Sequence, residues 1–173
     1  MSTSINVKTT LKVESNFVNV LNDGTNVTDA LSASILSAAA LSNGAGSGKV
    51  QVQWHDRRTL ATTTSEDIDL AGVLSSAFGV VTFTKIKALI IKVNTVTTGY
   101  RLEVGGAAAN AFASMFGDVS DTVKVQADGV LLLYAPVDGY TVTAGTADIL
   151  KISNPSGGSV SYDIIVIGEG SVA

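Results

Sequence analysis

Apolar and polar residues alternate with a period of two along nearly the whole chain, and that alternation admits strands and little else. Ile5, Val7, Thr9, Leu11 and Val13 share one face of the first segment, and Asn6, Lys8, Thr10, Lys12 and Glu14 share the other. Val50, Val52 and Trp54 alternate with Gln51, Gln53 and His55, which predicts a half-buried strand with the single tryptophan facing inward. Further strands are expected over 80–93, 100–104, 123–126, 130–134, 140–143, 149–152 and 162–167. Turn chemistry separates them: Asp23–Gly24, Asp128–Gly129, Asp138–Gly139 and the run from Asn154 to Gly158, where glycine tolerates positive φ and Asp or Asn closes local turns.

Many short strands at close spacing, with no long helix between them in the second half, argue for an antiparallel sandwich or barrel. Parallel βαβ units would need such helices. Three segments read differently. Residues 27–41 fit a helical stripe (Val27, Leu31, Ile35, Ala38) and a strand alternation (Val27, Leu31, Ala33, Ile35), and the reading taken is helix or irregular structure. Residues 66–79 read as a short strand running into a helical turn that stops at Gly79, and Ala107–Phe116 as a short helix that stops at Gly117. The expected class is therefore all-β with one or two short helices. Residues 1–48 form an N-terminal arm or strand segment, within or beside the same domain, and 49–173 form the sandwich domain.

Charged residues make up 15% of the chain, well below the roughly 25% of an average soluble domain. Three segments are apolar on both faces: Leu131 and Leu133 oppose Val130, Leu132 and Tyr134; Ile164 and Val166 oppose Ile165 and Ile167; Ala88 and Ile90 oppose Leu89 and Ile91. A sandwich strand needs only one apolar face. Each of these needs a second cover, either a loop or helix lying over the sheet or another subunit. With so few charges the second favours a homo-oligomer. The candidate interface residues are Leu131, Leu132, Leu133, Ile165, Ile167, Ile5 and Val7.

Little in the chain points to chemistry. The net charge is −4 and the densest basic group is the pair Arg57–Arg58, so direct nucleic-acid binding through phosphate neutralisation is not expected. There is no cysteine for a disulfide, a thiolate ligand or a nucleophile. No apolar run approaches a membrane span, and Met1 to Asn6 lacks the pattern of a secretory signal, so synthesis in the cytoplasm is expected and membrane insertion is not. The only histidine, His55, precedes Asp56, but neighbours on a strand point to opposite faces. Glu66, Asp67 and Asp69 lack the spacing of a calcium loop, and Asp67 or Asp69 reads as a helix cap ahead of Leu70–Ala77. The glycine-rich run Asn43–Gly48 lacks a following Gly-Lys-Ser/Thr and reads as a flexible loop. No catalytic residue, metal or cofactor is expected, and the chain is read as a non-enzyme.

Residues 50–72 (VQVQWHDRRTLATTTSEDIDLAG) and 86–106 (IKALIIKVNTVTTGYRLEVGG), with the stretch from Asp128 to Gly168 that holds the LLL strand and the pattern T-A-D-x-L-x-I-x-N, resemble small structural proteins of tailed phages. The resemblance is to capsid decoration, or cement, proteins and covers roughly residues 50–168. It implies a jelly-roll-like sandwich in the virion, made in the host cytoplasm. It also implies a homotrimer on the capsid surface that clamps neighbouring copies of the major capsid protein. No binding residue of the family transfers to this chain. The alternative is a tail, baseplate or head-fibre module that binds host glycans; a glycan hydrolase would need paired carboxylates in an aromatic-lined groove.

Overall fold

The computed structural model describes residues 5–20, 26–72 and 74–173, and among these there are strands, turns and irregular segments but no helix. The strands are β1 (Val7–Val20), β2 (Asn26–Asn43), β3 (Lys49–Val50), β4 (Val52–Leu60), β5 (Ser65–Asp69), β6 (Leu74–Ser76), β7 (Gly79–Val93), β8 (Arg101–Gly105), β9 (Thr122–Gln126), β10 (Val130–Tyr134), β11 (Tyr140–Thr141), β12 (Ile149–Ser153) and β13 (Val160–Val172).

Eight of them build two sheets, ordered β10-β7-β13-β4 and β5-β12-β8-β9. The pairing is nested: β4 with β13, β5 with β12, β7 with β10, and β8 with β9, all antiparallel. The first strand of the set meets the last and the middle two meet each other. A long antiparallel ribbon rolled into two layers has this connectivity, and it defines a jelly roll. The all-β sandwich expected from the alternation is the fold.

The inward faces follow the period-two pattern. Val160, Tyr162, Ile164 and Val166 of β13, with Val52, Trp54 and Leu60 of β4 and Leu89, Ile91 and Val93 of β7, are buried against Ile68, Leu102, Val104, Val125, Leu150 and Ile152 of the second sheet. Two buried polar residues bracket β12. At one end Asp148 Oδ2 accepts a hydrogen bond from Gly145 N. At the other, Asn154 Nδ2 lies within hydrogen-bond distance of the carbonyls of Leu60, Ala61 and Gly158, and its Oδ1 accepts from Ser156 N at 2.9 Å. The pattern D-x-L-x-I-x-N is thus one strand face, with two core residues between two loop anchors.

Three expectations are corrected. Residues 27–41 belong to strand β2, because β1 supplies an antiparallel ladder from Val7↔Leu41 to Val20↔Asn26; a partner strand overrides an ambiguous local pattern. Residues 66–79 contain no helical turn. Asp69 Oδ1 accepts from Ala71 N at 2.9 Å, closing a turn that sends the chain back toward β6 and β7. Ala107–Phe116 is irregular: Ala111 bridges Ile149, Phe112 N bonds Ile149 O at 2.9 Å, and Phe112 is buried in the core. Ten residues are too few for a stable isolated helix, and here the backbone bonds go to β12 instead. The turn expected at Asp23–Gly24 lies outside the described residues.

The register between β13 and β7 slips twice, between Ile167 and Gly168 and between Glu169 and Gly170. Opposite these bulges β13 carries glycine. A Cβ on Gly168 would lie 1.9 Å from Lys85 O, and one on Gly170 would lie 2.0 Å from Thr82 O. Close backbone approach therefore requires glycine here. Gly168→Ala is expected to lower the unfolding free energy by about 2 kcal/mol or more, measured by urea denaturation; an unchanged midpoint would show that the strands separate without loss.

Candidate functional site

The three strands that are apolar on both faces are neighbours: β10, β7 and β13 lie side by side in one sheet. Register therefore gathers their second faces into one outer surface. One row across it is Leu132, Ile90, Ile165 and His55; the next is Tyr134, Ala88, Ile167 and Gln53; the row on the other side is Val130, Lys92, Asp163 and Arg57.

Part of this surface is covered from within the chain. Ala88 and Ile167 form a small second core with Leu41 and Val50, against which Ile5, Val7, Tyr134 and Ile165 pack. The cover is the base of the N-terminal segment. Leu132, Ile90 and Ile165 stay half-buried at its margin. Of the candidate interface residues, Ile5, Val7, Ile165 and Ile167 thus meet in one cluster and Leu132 lies on the same outer face. Leu131 and Leu133 pack against the main core instead.

From this base β1 and β2 continue as a two-stranded ribbon. β1 runs for 14 residues, roughly 45 Å at the rise of a strand. Its ladder partner is β2 throughout, and β2 otherwise pairs only with the two residues of β3. The register places Lys12, Glu14, Ser32 and Thr28 on one face of the ribbon. Lys12 and Glu14 form an ion pair, and Ser32 Oγ donates to Glu14 at 3.4 Å.

The polar margin of the outer surface is ordered by charge. Arg57 grips Asp163 through two hydrogen bonds, Nε–Oδ1 at 2.6 Å and Nη2–Oδ2 at 3.0 Å, and Lys92 pairs with Asp128. The hydrogen bond from Arg57 holds the Asp163 carboxyl down to about 2 against an opposing effect of burial. His55 is exposed, and Asp56 accepts from Arg57 N and Arg58 Nη1 instead. On the inward side of β4, Arg58 sits 5.9 Å from the centre of the Trp54 ring and donates to Glu66 at 2.6 Å, while Tyr162 Oη donates to the other Glu66 oxygen. Burial, then the Glu66 hydrogen bond, pushes the Tyr162 hydroxyl well above the usual phenol range. Glu66 is thus engaged in holding β4, β5 and β13 together. Glu66, Asp67 and Asp69 do not converge, and no group of three metal-ligating side chains occurs among the described residues.

The glycine-rich loop Asn43–Gly48 is structural. Gly46 N donates to Glu169 Oε1 at 3.1 Å and Gly48 N to Pro136 O at 2.8 Å, so the two amides that a phosphate would need are taken. Beside β4 lies a shallow cavity of about 300 Å³ whose walls include Ile5, Val52, Phe78 and Val172. It holds no acid, base or cation. Sequence reasoning missed Lys87, Glu169 and Asn154. Lys87 stands in the run Ile86 to Ile91 as the one polar residue, but its burial follows from the bulge between Ile86 and Ala88, which local alternation does not reveal.

Compared with known proteins, the chain matches no family model, no curated protein and no solved structure. The site rests on its geometry alone, as an outer sheet face continued by a strand ribbon.

Two carboxylates tie these elements together electrostatically. Burial works to raise the Glu169 pKa, but the Lys87 ammonium, the Gly46 amide and the charge of Lys85 outweigh it and leave the pKa lowered. Asp163 is lowered too. A carboxyl with a depressed folded pKa stabilises the fold fully above its unfolded value and loses that contribution as pH falls through the folded value. Stability should accordingly decline from about pH 4.5 toward pH 2, and Asp163→Asn should flatten part of the slope. Urea melts at stepped pH check both; identical slopes in the two proteins would remove Asp163 from the account.

Proposed function

We propose that the chain is a virion structural protein of a tailed phage, a capsid decoration protein that binds the shell of major capsid protein as a homotrimer and stabilises it. One observation carries the reading: β1 and β2 form a long ribbon with no ladder to the sandwich strands β4–β13 among the described residues. An isolated two-stranded ribbon is marginal in water, so a protein that retains one uses it against a partner. A sandwich block that carries a strand arm suits a clamp: the block occupies a fixed position, and the arm reaches a neighbouring subunit by strand addition. The outer face around Leu132, Ile90 and Ile165 then serves contact between copies.

The jelly roll supports this reading only as a rigid scaffold, since one fold hosts many functions. The alternative tail or head-fibre module would present an aromatic platform to a sugar. Among the described residues the exposed large apolar side chains include one aromatic, Phe78, at 72% exposure; Trp54, which lines a cavity with it, is buried.

Mixing the protein with capsids that lack it and imaging by electron microscopy tests the reading. Regular density at three-fold positions is the expected result; binding confined to a tail tip would replace it with the alternative, and no binding would remove both. For self-association, Leu132→Asp should convert the trimer to a folded monomer by light scattering, since Leu132 lies outside the main core. An undiminished mass would place the contact between copies elsewhere.

A further inference from the structure

The joint between ribbon and sandwich is a glycine-rich loop, closed on itself by Ser42 N to Gly48 O at 3.0 Å, Gly44 N to Val50 O at 2.9 Å and Lys49 N to Gly46 O at 3.2 Å. Gly44, Gly46 and Gly48 all have positive φ, at 132°, 99° and 69°, and glycine populates such conformations without preference for one. Two further bonds fasten this loop to oxygens of the sandwich: Gly46 N to Glu169 Oε1 at 3.1 Å, and Gly48 N to Pro136 O at 2.8 Å.

Both oxygens share a third partner. Lys87 Nζ lies 3.2 Å from Glu169 Oε1 and 3.4 Å from Pro136 O, and donates at 2.6 Å to Val137 O. The lysine side chain is fully buried. Its position follows from the chain path. Lys87 is the extra residue of the bulge between Ile86, opposite Gly168, and Ala88, opposite Ile167. Bulges re-aim side chains in this way. Across the other edge of β7, Tyr134 pairs with Ala88 and Tyr140 with Ile86. The connection 135–139 therefore passes over Lys87, and Gly139 closes on its stem: a Cβ there would lie 3.0 Å from Lys87 Cδ.

We propose that Lys87 is a positioning residue, the pin of a pivot: one buried ammonium, bonded to both oxygens that hold the Gly44–Gly48 loop, sets the angle at which the ribbon leaves the sandwich. The main core does not need the charge. A buried ion pair replaced on both sides by neutral groups of similar shape is often tolerated, whereas removal of one partner leaves the other uncompensated. The pair serves orientation, and the inference stands whether or not the partner is a capsid.

The chain has no cysteine, so spin labels attach only where cysteines are introduced. Ala30→Cys on the ribbon and Lys124→Cys on β9, both at exposed positions, report the angle as a distance distribution, with labelled protein diluted in unlabelled copies. The parent should give one narrow distance. Lys87→Met with Glu169→Gln should at least double its width while the circular dichroism of the sandwich stays the same. An unchanged distribution in that variant overturns the proposal, as does a broad one in the parent. If the double variant fails to fold, Glu169→Gln alone decides: its amide keeps the shape and loses the charge, so a widened distribution supports the pin and a parental one removes it.

Discussion

β13 is hydrogen-bonded along both edges, to β4 and to β7, and is apolar on both faces. A strand so placed has its backbone paired on both edges and most of its side chains withdrawn from water, and much of the sandwich is arranged around satisfying it. Inward, the side chains of Val160, Tyr162, Ile164 and Val166 are fully buried, at about 1.5–3 kcal/mol for each aliphatic one. Outward, Ile165 and Ile167 require a cover that the second sheet cannot give. The base of the N-terminal ribbon supplies it with Leu41, Val50, Ile5 and Val7. The ribbon is therefore part of the energetics of the sheet as well as a projection from it.

Polar groups inside the fold cluster where chain segments must be held at fixed separation. Asn154 fastens the β4–β5 and β12–β13 connections to one another, Glu66 joins three strands, and Lys87 ties the β10–β11 connection and β13 to β7. Each buried donor or acceptor would be costly if left unpaired, so each such residue demands one geometry. The apolar core supplies stability with little directional preference, and these few residues supply the alignment.

Most strands from Val50 onward are legible in the sequence because burial on one face imposes the alternation directly on the residue types; β6, within 66–79, is the exception. The doubly apolar segments were legible too, and their meaning became concrete once register put all three in one sheet. Residues 27–41 and Ala107–Phe116 depart from the sequence pattern for one reason: their alanines and serines tolerate several conformations, and the partner strands β1 and β12 decide between them. Of the candidate interface set, Leu131 and Leu133 are occupied in the main core, while Ile5, Val7, Ile165 and Ile167 meet as neighbours. Lys87 was invisible because its setting depends on a bulge, and a bulge is a property of two strands together.

The nested pairing carries a consequence for the order of events during synthesis. Leu60 finds its partner Val160 only after about one hundred further residues have been made, whereas β1 and β2 are adjacent hairpin partners. Local contacts close quickly and distant ones slowly. On the ribosome the ribbon therefore zips first, and β4 waits with an unsatisfied edge until β13 emerges. β13 leaves the tunnel after the other strands of the two sheets and seals one of them, so a chain truncated before Val160 lacks a central strand and exposes unpaired strand edges prone to aggregation.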